Sequence, residues 1–116
     1  MMKFLVTGYL PDDFDPSAMD EEAVRAIHAY NAELEAAGAM FFAGGLSPAS
    51  LAKTVRAQPG GKVLITDGPY IETKEQIGGI LILEAANMDE ALEWVRKGAN
   101  ACLGPVEVRQ VFFQEG

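Results

Sequence analysis

The chain of 116 residues carries 9 Lys and Arg against 17 Asp and Glu, a formal net charge of −8, and 49% of its residues are hydrophobic. This length fits a single domain over residues 1–116 and excludes two self-sufficient cores. The acidic balance disfavours contact with phosphate backbones, so we expect no nucleic-acid partner, and the high apolar content excludes general disorder.

The residue types that hold metals or anchor a chain in a membrane are scarce. His28 and Cys102 are the single histidine and the single cysteine, so the sequence predicts no metal site and no other cofactor. We interpret Cys102 as a spectator thiol. No apolar run approaches the roughly 20 residues of a membrane helix, and the first residues do not resemble a signal peptide. We therefore expect a soluble, cytoplasmic protein without a membrane partner.

The first half of the chain predicts a strand, a helix and a second strand. Residues 2–10 are rich in β-branched and aromatic side chains, which is typical of a strand. Asp15 or Ser17 can cap the helix that follows, and Gly38 can end it. The helix has an apolar stripe at spacings of three and four, formed by Met19, Ala23, Ile27, Tyr30, Leu34 and Ala37. Residues 39–43 then predict a short strand.

The second half predicts a hairpin, a strand, a helix and a last strand. Residues 52–57 and 62–66 flank a Pro-Gly-Gly turn, and residues 79–84 form a strongly apolar strand. Asn87 can cap a second helix. The inward face of that helix is predicted to be Met88, Ala91, Leu92 and Val95. Residues 106–113 predict the last strand.

This order of elements predicts an α+β fold of the ferredoxin-like type, an antiparallel sheet with two helices on one face. Two helices can cover only one face of that sheet. Yet Ile80 and Ile82 must point away from Leu81 and Leu83, so the strand is apolar on both sides. The second face is most simply covered by the sheet of another subunit, and we therefore expect a homodimer.

The run from Asp67 to Glu75, DGPYIETKE, followed by Gly78 and Gly79, is the most distinctive part of the chain. It resembles the YCII-related family, in the branch named after an Asp-Gly-Pro-Phe run, with Tyr70 in the place of the Phe. The resemblance spans nearly the whole chain. It implies a single YCII-related domain with a dimeric α/β-barrel fold, for which it supplies no established activity.

Read from its chemistry, the same run predicts a stiff turn with charged side chains. Asp67 is expected to anchor the turn by accepting bonds from backbone amides two residues on. Glu72, Lys74 and Glu75 place two carboxylates and one ammonium group close together, which could hold a ligand or act in acid–base chemistry. The simpler interpretation is an Asp-anchored turn followed by a solvated group of charges.

We expect His28 and the two glycine pairs to have structural positions and no functional role. At 100° per residue His28 falls far from the apolar stripe, so we expect it on the outer face of the first helix, away from the sheet. Gly44-Gly45 and Gly78-Gly79 lack the strand–loop–helix context and lysine of a phosphate site. We expect those pairs to mark bulges or close packing.

Two functions remain open. The first is binding of a small organic ligand, and possible cofactor-free catalysis, near the Asp67–Tyr70 turn, between helices and sheet, or at the dimer seam. Candidate catalytic residues are Asp67, Lys74 and Arg109, and candidate ligand-binding residues are Tyr9, Phe42, Tyr70 and Glu72. The alternative is a non-catalytic accessory domain that binds another protein, which would suit the branch's resemblance to proteins associated with alternative sigma factors.

Overall fold

Six strands and two helices form within residues 1–101 and 104–112, the part of the chain that the computed structural model describes. The elements are β1 (Met2–Pro11), α1 (Glu21–Ala36), β2 (Met40–Gly45), β3 (Lys53–Ala57), β4 (Val63–Asp67), β5 (Glu75–Ala85), α2 (Met88–Gly98) and β6 (Val106–Val111). Their order is the predicted one. The predictions for Cys102 and for Phe113 at the end of β6 lie outside the described residues.

The main sheet has the strand order β2-β5-β1-β6, and every pair in it is antiparallel. This is the arrangement of a ferredoxin-like α+β fold, as predicted, with β1 between β5 and β6. β3 and β4 pair only with each other and form a separate two-stranded sheet, in which Val55 lies opposite Ile65. The hairpin is thus an insertion between β2 and β5.

α1 begins later than the sequence predicted. Its N-cap is Asp20, whose side chain accepts a 2.7 Å bond from the backbone N–H of Ala23. Asp15 instead accepts bonds from the hydroxyl and the backbone N–H of Ser17, at 2.8 and 2.9 Å, and these bonds lower the pKa of Asp15. Capping by Asp15 or Ser17 was wrong because that pair closes a separate 3₁₀ turn before the helix.

α2 begins as predicted, with the Asn87 side chain accepting a 2.9 Å bond from the N–H of Glu90. Its inward face is rotated from the predicted one. Of the predicted residues, Ala91 is fully buried and Val95 packs against the core beside Trp94, whereas Met88 and Leu92 are exposed. The rotation follows from contact with α1, because the Tyr30 hydroxyl of α1 donates a 2.5 Å bond to the carbonyl of Trp94.

The core lies between the helices and one face of the main sheet. Phe4 of β1, Leu34 of α1 and Leu83 of β5 are completely buried there. Register places Phe4 beside Leu83, so alternate residues of neighbouring strands point to the helices together. The opposite side of the sheet, here called the open face, carries Leu5, Thr7, Ile80, Ile82 and Phe42. Those side chains are half-buried or exposed.

The hairpin carries apolar side chains that nothing covers within one copy. Val55, Val63 and Ile65 each keep 61% of their surface exposed. Cross-strand pairing puts all three on the same side of the hairpin, here called the hairpin apolar face. The chain is correspondingly flat, with a radius of gyration of 16.4 Å and a shortest extent of 20 Å. A compact domain of this length has a radius of gyration of about 13 Å.

Candidate functional site

A cleft of 460 Å³ lies between α1 and the sheet and is here called the α1 cleft. Its floor is formed by β1, β5 and β2, and its walls by α1, the loop after β1 and the loop after β2. The lining is mainly apolar, and includes Val6, Leu10, Ile27, Leu46, Leu81 and Val106. The volume falls within the range of small-molecule sites, about 300–1,000 Å³.

The cleft exists because three neighbouring strands lack side chains at the same level. Gly45 of β2 pairs with Gly79 of β5, which pairs with Gly8 of β1. This row, here called the glycine row, faces the helices, since Gly8 is two residues from the buried Val6. A Cβ at Gly45 would have no heavy atom within 4 Å. The row therefore borders open space, whereas the adjacent level is filled by Val6 and Leu81.

Gly78 has a different role, at a β-bulge next to the glycine row. β1 continues from Gly8 to Tyr9 while its partner on β5 changes from Gly79 to Ile77, so Gly78 is the extra residue. A Cβ at Gly78 would lie 2.3 Å from Cδ1 of Leu10, so a larger residue would require the Leu10 side chain to move. The prediction that this pair of glycines marks a bulge or close packing is confirmed.

α1 contributes the polar groups of one wall. His28 and Asn31 both line the cleft and lie three residues apart, which puts them on the same side of the helix. His28 is exposed, as predicted, but its expected position away from the sheet was wrong. The helical wheel places His28 relative to the other residues of α1 but not relative to the sheet, and the cleft above the glycine row extends to the side of α1 that carries His28 and Asn31.

The Asp67–Tyr70 turn lies apart from the cleft, beside the hairpin. Asp67 forms an ion pair with Lys53 on the paired strand, and its side chain is 86% exposed. Expected bonds from Asp67 to turn amides are absent among the described residues, so its role as a turn anchor was wrong. The turn is held by a backbone hydrogen bond, in which the N–H of Gly68 donates to the carbonyl of Ala52 at 2.7 Å.

Tyr70 packs against the hairpin rather than against a cavity. The guanidinium group of Arg56 lies 4.8 Å from the centre of its ring, a cation–π contact, while 67% of the side chain stays exposed. Glu72 and Lys74 border a second, more polar depression together with Asp12. Both residues are exposed. This depression also has a volume of 460 Å³, shares Asp12, Ala49 and Gln76 with the α1 cleft, and has a more polar lining than the cleft.

Arg109 and Phe42 lie towards the open face of the sheet, and Tyr9 lines the α1 cleft while its hydroxyl bonds to β6. The Tyr9 hydroxyl donates a hydrogen bond to the carboxylate of Glu107, and this bond raises the pKa of Tyr9. Arg109 pairs with Leu5 in the sheet and is exposed, and Phe42 keeps 48% of its surface exposed. A surface of this kind, with an apolar centre and polar groups at its ends, has the composition of a protein interface.

The predicted candidates thus divide among four places. Phe42 and Arg109 belong to the open face, Asp67 and Tyr70 to the hairpin turn, and Glu72 and Lys74 to the polar depression. Of the candidates, Tyr9 lines the α1 cleft, where the structure brings it together with His28, Asn31 and the glycine row. The sequence signal that could have found the cleft is the occurrence of glycines in two predicted strands and just after a third, which becomes informative only with the strand register.

Residues 1–101 and 104–112 contain no group of three His, Cys, Asp or Glu side chains placed to hold a metal ion. Over the same residues, neither helix has the length and apolar character needed to cross a membrane.

The strand order and the α1 cleft define a small ferredoxin-like protein with a ligand-sized apolar cavity. The chain belongs to the YCII-related family, since the YCII-related domain matches residues 2–113. It is also similar to Uncharacterized protein R00369 of Rhizobium meliloti (strain 1021), with 36% identity over 92 residues, which are 78% of this chain and 73% of the relative. The family membership predicted from the Asp67–Glu75 run is confirmed.

Proposed function

We propose that the protein is a homodimer that binds a small, mainly apolar organic molecule in the α1 cleft of each subunit. The observation that carries the proposal is the cleft itself, a cavity of 460 Å³ under α1 with an apolar lining and a polar wall. Apolar pockets with a few convergent polar groups are the usual form of small-molecule sites. The proposed site is therefore the cleft between α1 and the sheet and not the Asp67–Tyr70 turn, none of whose residues lines the cleft.

Cofactor-free catalysis on the bound molecule would need an acid–base group at the cleft. His28 is the imidazole that borders it, and imidazole is the side chain most often used for proton transfer. Asp67 and Arg109 do not line the cleft. We therefore place any catalytic role at His28 and make ligand binding the primary function.

The ligand site can be located by the backbone amide signals of glycines in ¹H–¹⁵N NMR spectra. A library of small aromatics and organic acids is first screened for compounds that raise the melting temperature, because a ligand of the folded state stabilises it by mass action. We expect the hits to shift the amide signals of Gly8, Gly45 and Gly79 and to leave that of Gly68 in place. Shifts confined to Gly68 and its neighbours, or a library without any hit, would contradict the proposal.

The dimer is supported by the apolar surfaces that one copy leaves uncovered. These are the hairpin apolar face and the open face, which includes Leu5, Ile80 and Ile82. Charge also supports contact between two copies. Residues 53–67 hold three of the nine cations and one of the seventeen acids, so this segment carries a net charge of +2 and the rest of the chain −10. Opposite charges on two surfaces of one chain favour its self-association.

Sedimentation velocity at micromolar concentration tests the dimer directly. We expect a single species with the mass of two chains, and a dissociation constant that increases with salt because of the charge contrast. A monomer at these concentrations would contradict the proposal. It would support the alternative function, an accessory domain whose hairpin apolar face binds another protein, because that face would then be free for a partner.

A further inference from the structure

The α1 cleft has a charge character that narrows the class of its ligand. Neither Lys nor Arg occurs among the described residues that line it, and the one ionisable carboxylate there is Asp12. An anionic ligand would meet no countercharge and one like charge, in a chain whose net charge is already −8. The neutral polar side chains on the lining, Asn31 and Ser47 among them, suit hydroxyl and carbonyl oxygens.

The shape of the cleft narrows the class further. Along the glycine row, the floor consists of peptide planes with no side chain above them, so a flat molecule can lie directly against the backbone. Gly within a strand commonly marks such a close approach. The walls beside it carry branched side chains, Ile27 from α1 and Leu81 from β5. Together they form a slot that a ring system fills better than a flexible chain does.

We propose that the α1 cleft binds a neutral, planar aromatic molecule bearing a hydroxyl or keto oxygen. This inference rests on the proposed function and specifies its ligand class. The ring lies against the glycine row, and its oxygen hydrogen-bonds to His28 or Asn31 on α1. His28 can donate through one ring nitrogen and accept through the other, and the Asn31 amide can do both, so either oxygen type finds a partner.

Three probes of matched size separate shape from charge. 2-Naphthol and 1-decanol each have ten carbons and one hydroxyl, but only the naphthol is flat. 2-Naphthoate keeps the ring and adds a negative charge. Titration calorimetry is expected to give at least tenfold tighter binding for 2-naphthol than for either of the others. This order of affinities distinguishes shape from hydrophobicity, because 1-decanol is the more hydrophobic alcohol and would bind more tightly if the cleft recognised hydrophobicity alone.

Variants of the floor and the wall test the same contact. Gly79→Ala adds a methyl group to the floor at ordinary contact distance, 3.5 Å from the Gly44 carbonyl. We expect at least tenfold weaker binding of 2-naphthol and under threefold change for 1-decanol. Gly45→Ala, with no atom within 4 Å of its new Cβ, is a second floor variant should the first fail to fold. His28→Ala should weaken the binding of 2-naphthol at least fivefold. Arg25→Ala, at an exposed position of the same helix, should leave that affinity unchanged.

The outcomes distinguish the two proposals. Binding of 1-decanol as tightly as 2-naphthol overturns the planar-ligand inference and leaves the small-molecule function in place. Tighter binding of 2-naphthoate overturns the neutral character of the ligand. If none of the three probes binds, and the glycine amides of the cleft do not shift, both proposals are overturned.

Discussion

Two apolar strands of this molecule, β5 and β4, have similar sequences and opposite surroundings. β5 contains the run ILIL and buries Leu83 completely, because α1 and α2 cover its face. β4 contains VLI, yet Leu64 keeps 47% of its surface exposed and Ile65 keeps 61%. Their amino-acid types do not account for this difference. The difference lies in what covers each strand, since no helix of the described residues packs on the hairpin within one copy and an isolated two-stranded hairpin is marginally stable in water.

The largest effect is expected from a matched pair of leucine truncations. Leu83→Ala should lower the free energy of unfolding by about 3 kcal/mol, because it leaves a cavity in a packed core. Leu64→Ala removes the same atoms from a half-exposed site and should cost less than about 1 kcal/mol. Urea denaturation of both variants measures the difference. Equal losses would mean that the hairpin is packed as tightly as the main sheet.

The second effect concerns the side of the hairpin that a partner copy would cover. Ile65→Asp puts a charge on the hairpin apolar face and should raise the dissociation constant of the dimer about a hundredfold, equivalent to about 2.7 kcal/mol. Thr66→Asp is the control, since Thr66 is the next residue and points to the other side. Sedimentation equilibrium measures both constants. Equal weakening by the two variants would point to a general charge effect instead of a contact.

A smaller effect is expected where the two helices meet. Tyr30→Phe removes the hydroxyl that bonds to the carbonyl of Trp94 and should cost about 1 kcal/mol in unfolding free energy. Tyr70→Phe is the control, because that ring lies 67% exposed at the hairpin turn. Its unfolding midpoint should match that of the parent chain. A loss in Tyr70→Phe comparable to that in Tyr30→Phe would remove the contrast between the two regions.

The smallest effect is expected at the turn. Asp67→Ala breaks an ion pair between two exposed side chains, and such pairs contribute a few tenths of a kcal/mol at most. Glu72→Ala is the control, at an exposed position two residues beyond the turn, and both variants should unfold at nearly the same midpoint. A loss of about 1 kcal/mol in the Asp67 variant alone would restore the role of turn anchor that the sequence suggested.

The elements and their order were predictable because each has a local signal. Asn87 before an acidic first turn marks the start of α2, and the Pro-Gly-Gly turn marks the hairpin. The start of α1 was less certain, because Asp15, Ser17 and Asp20 are all good caps and only the first two can bond to each other across a short turn. Which one caps the helix depends on that competition.

The site was harder to predict because it depends on register between distant segments. Gly8, Gly45 and Gly79 are far apart in sequence, and no local pattern indicates that they lie side by side. The hydrogen bond from Tyr9 to Glu107 joins residues 98 positions apart and is equally invisible to local reasoning. His28 was assigned correctly as exposed, but its place at the cleft follows from how α1 crosses the sheet.

The position of β1 between β5 and β6 also sets the order in which the sheet can form during synthesis. Lys3 pairs with Glu84 on one side and with Val111 on the other, so both partners are translated long after it. At about 5–20 residues per second, β1 waits several seconds for its second neighbour. The hairpin needs only its own residues and can close within about 10 microseconds of its synthesis. The least covered strands can therefore pair first, whereas β1, which carries the buried Phe4 and Val6, gains its second neighbour last.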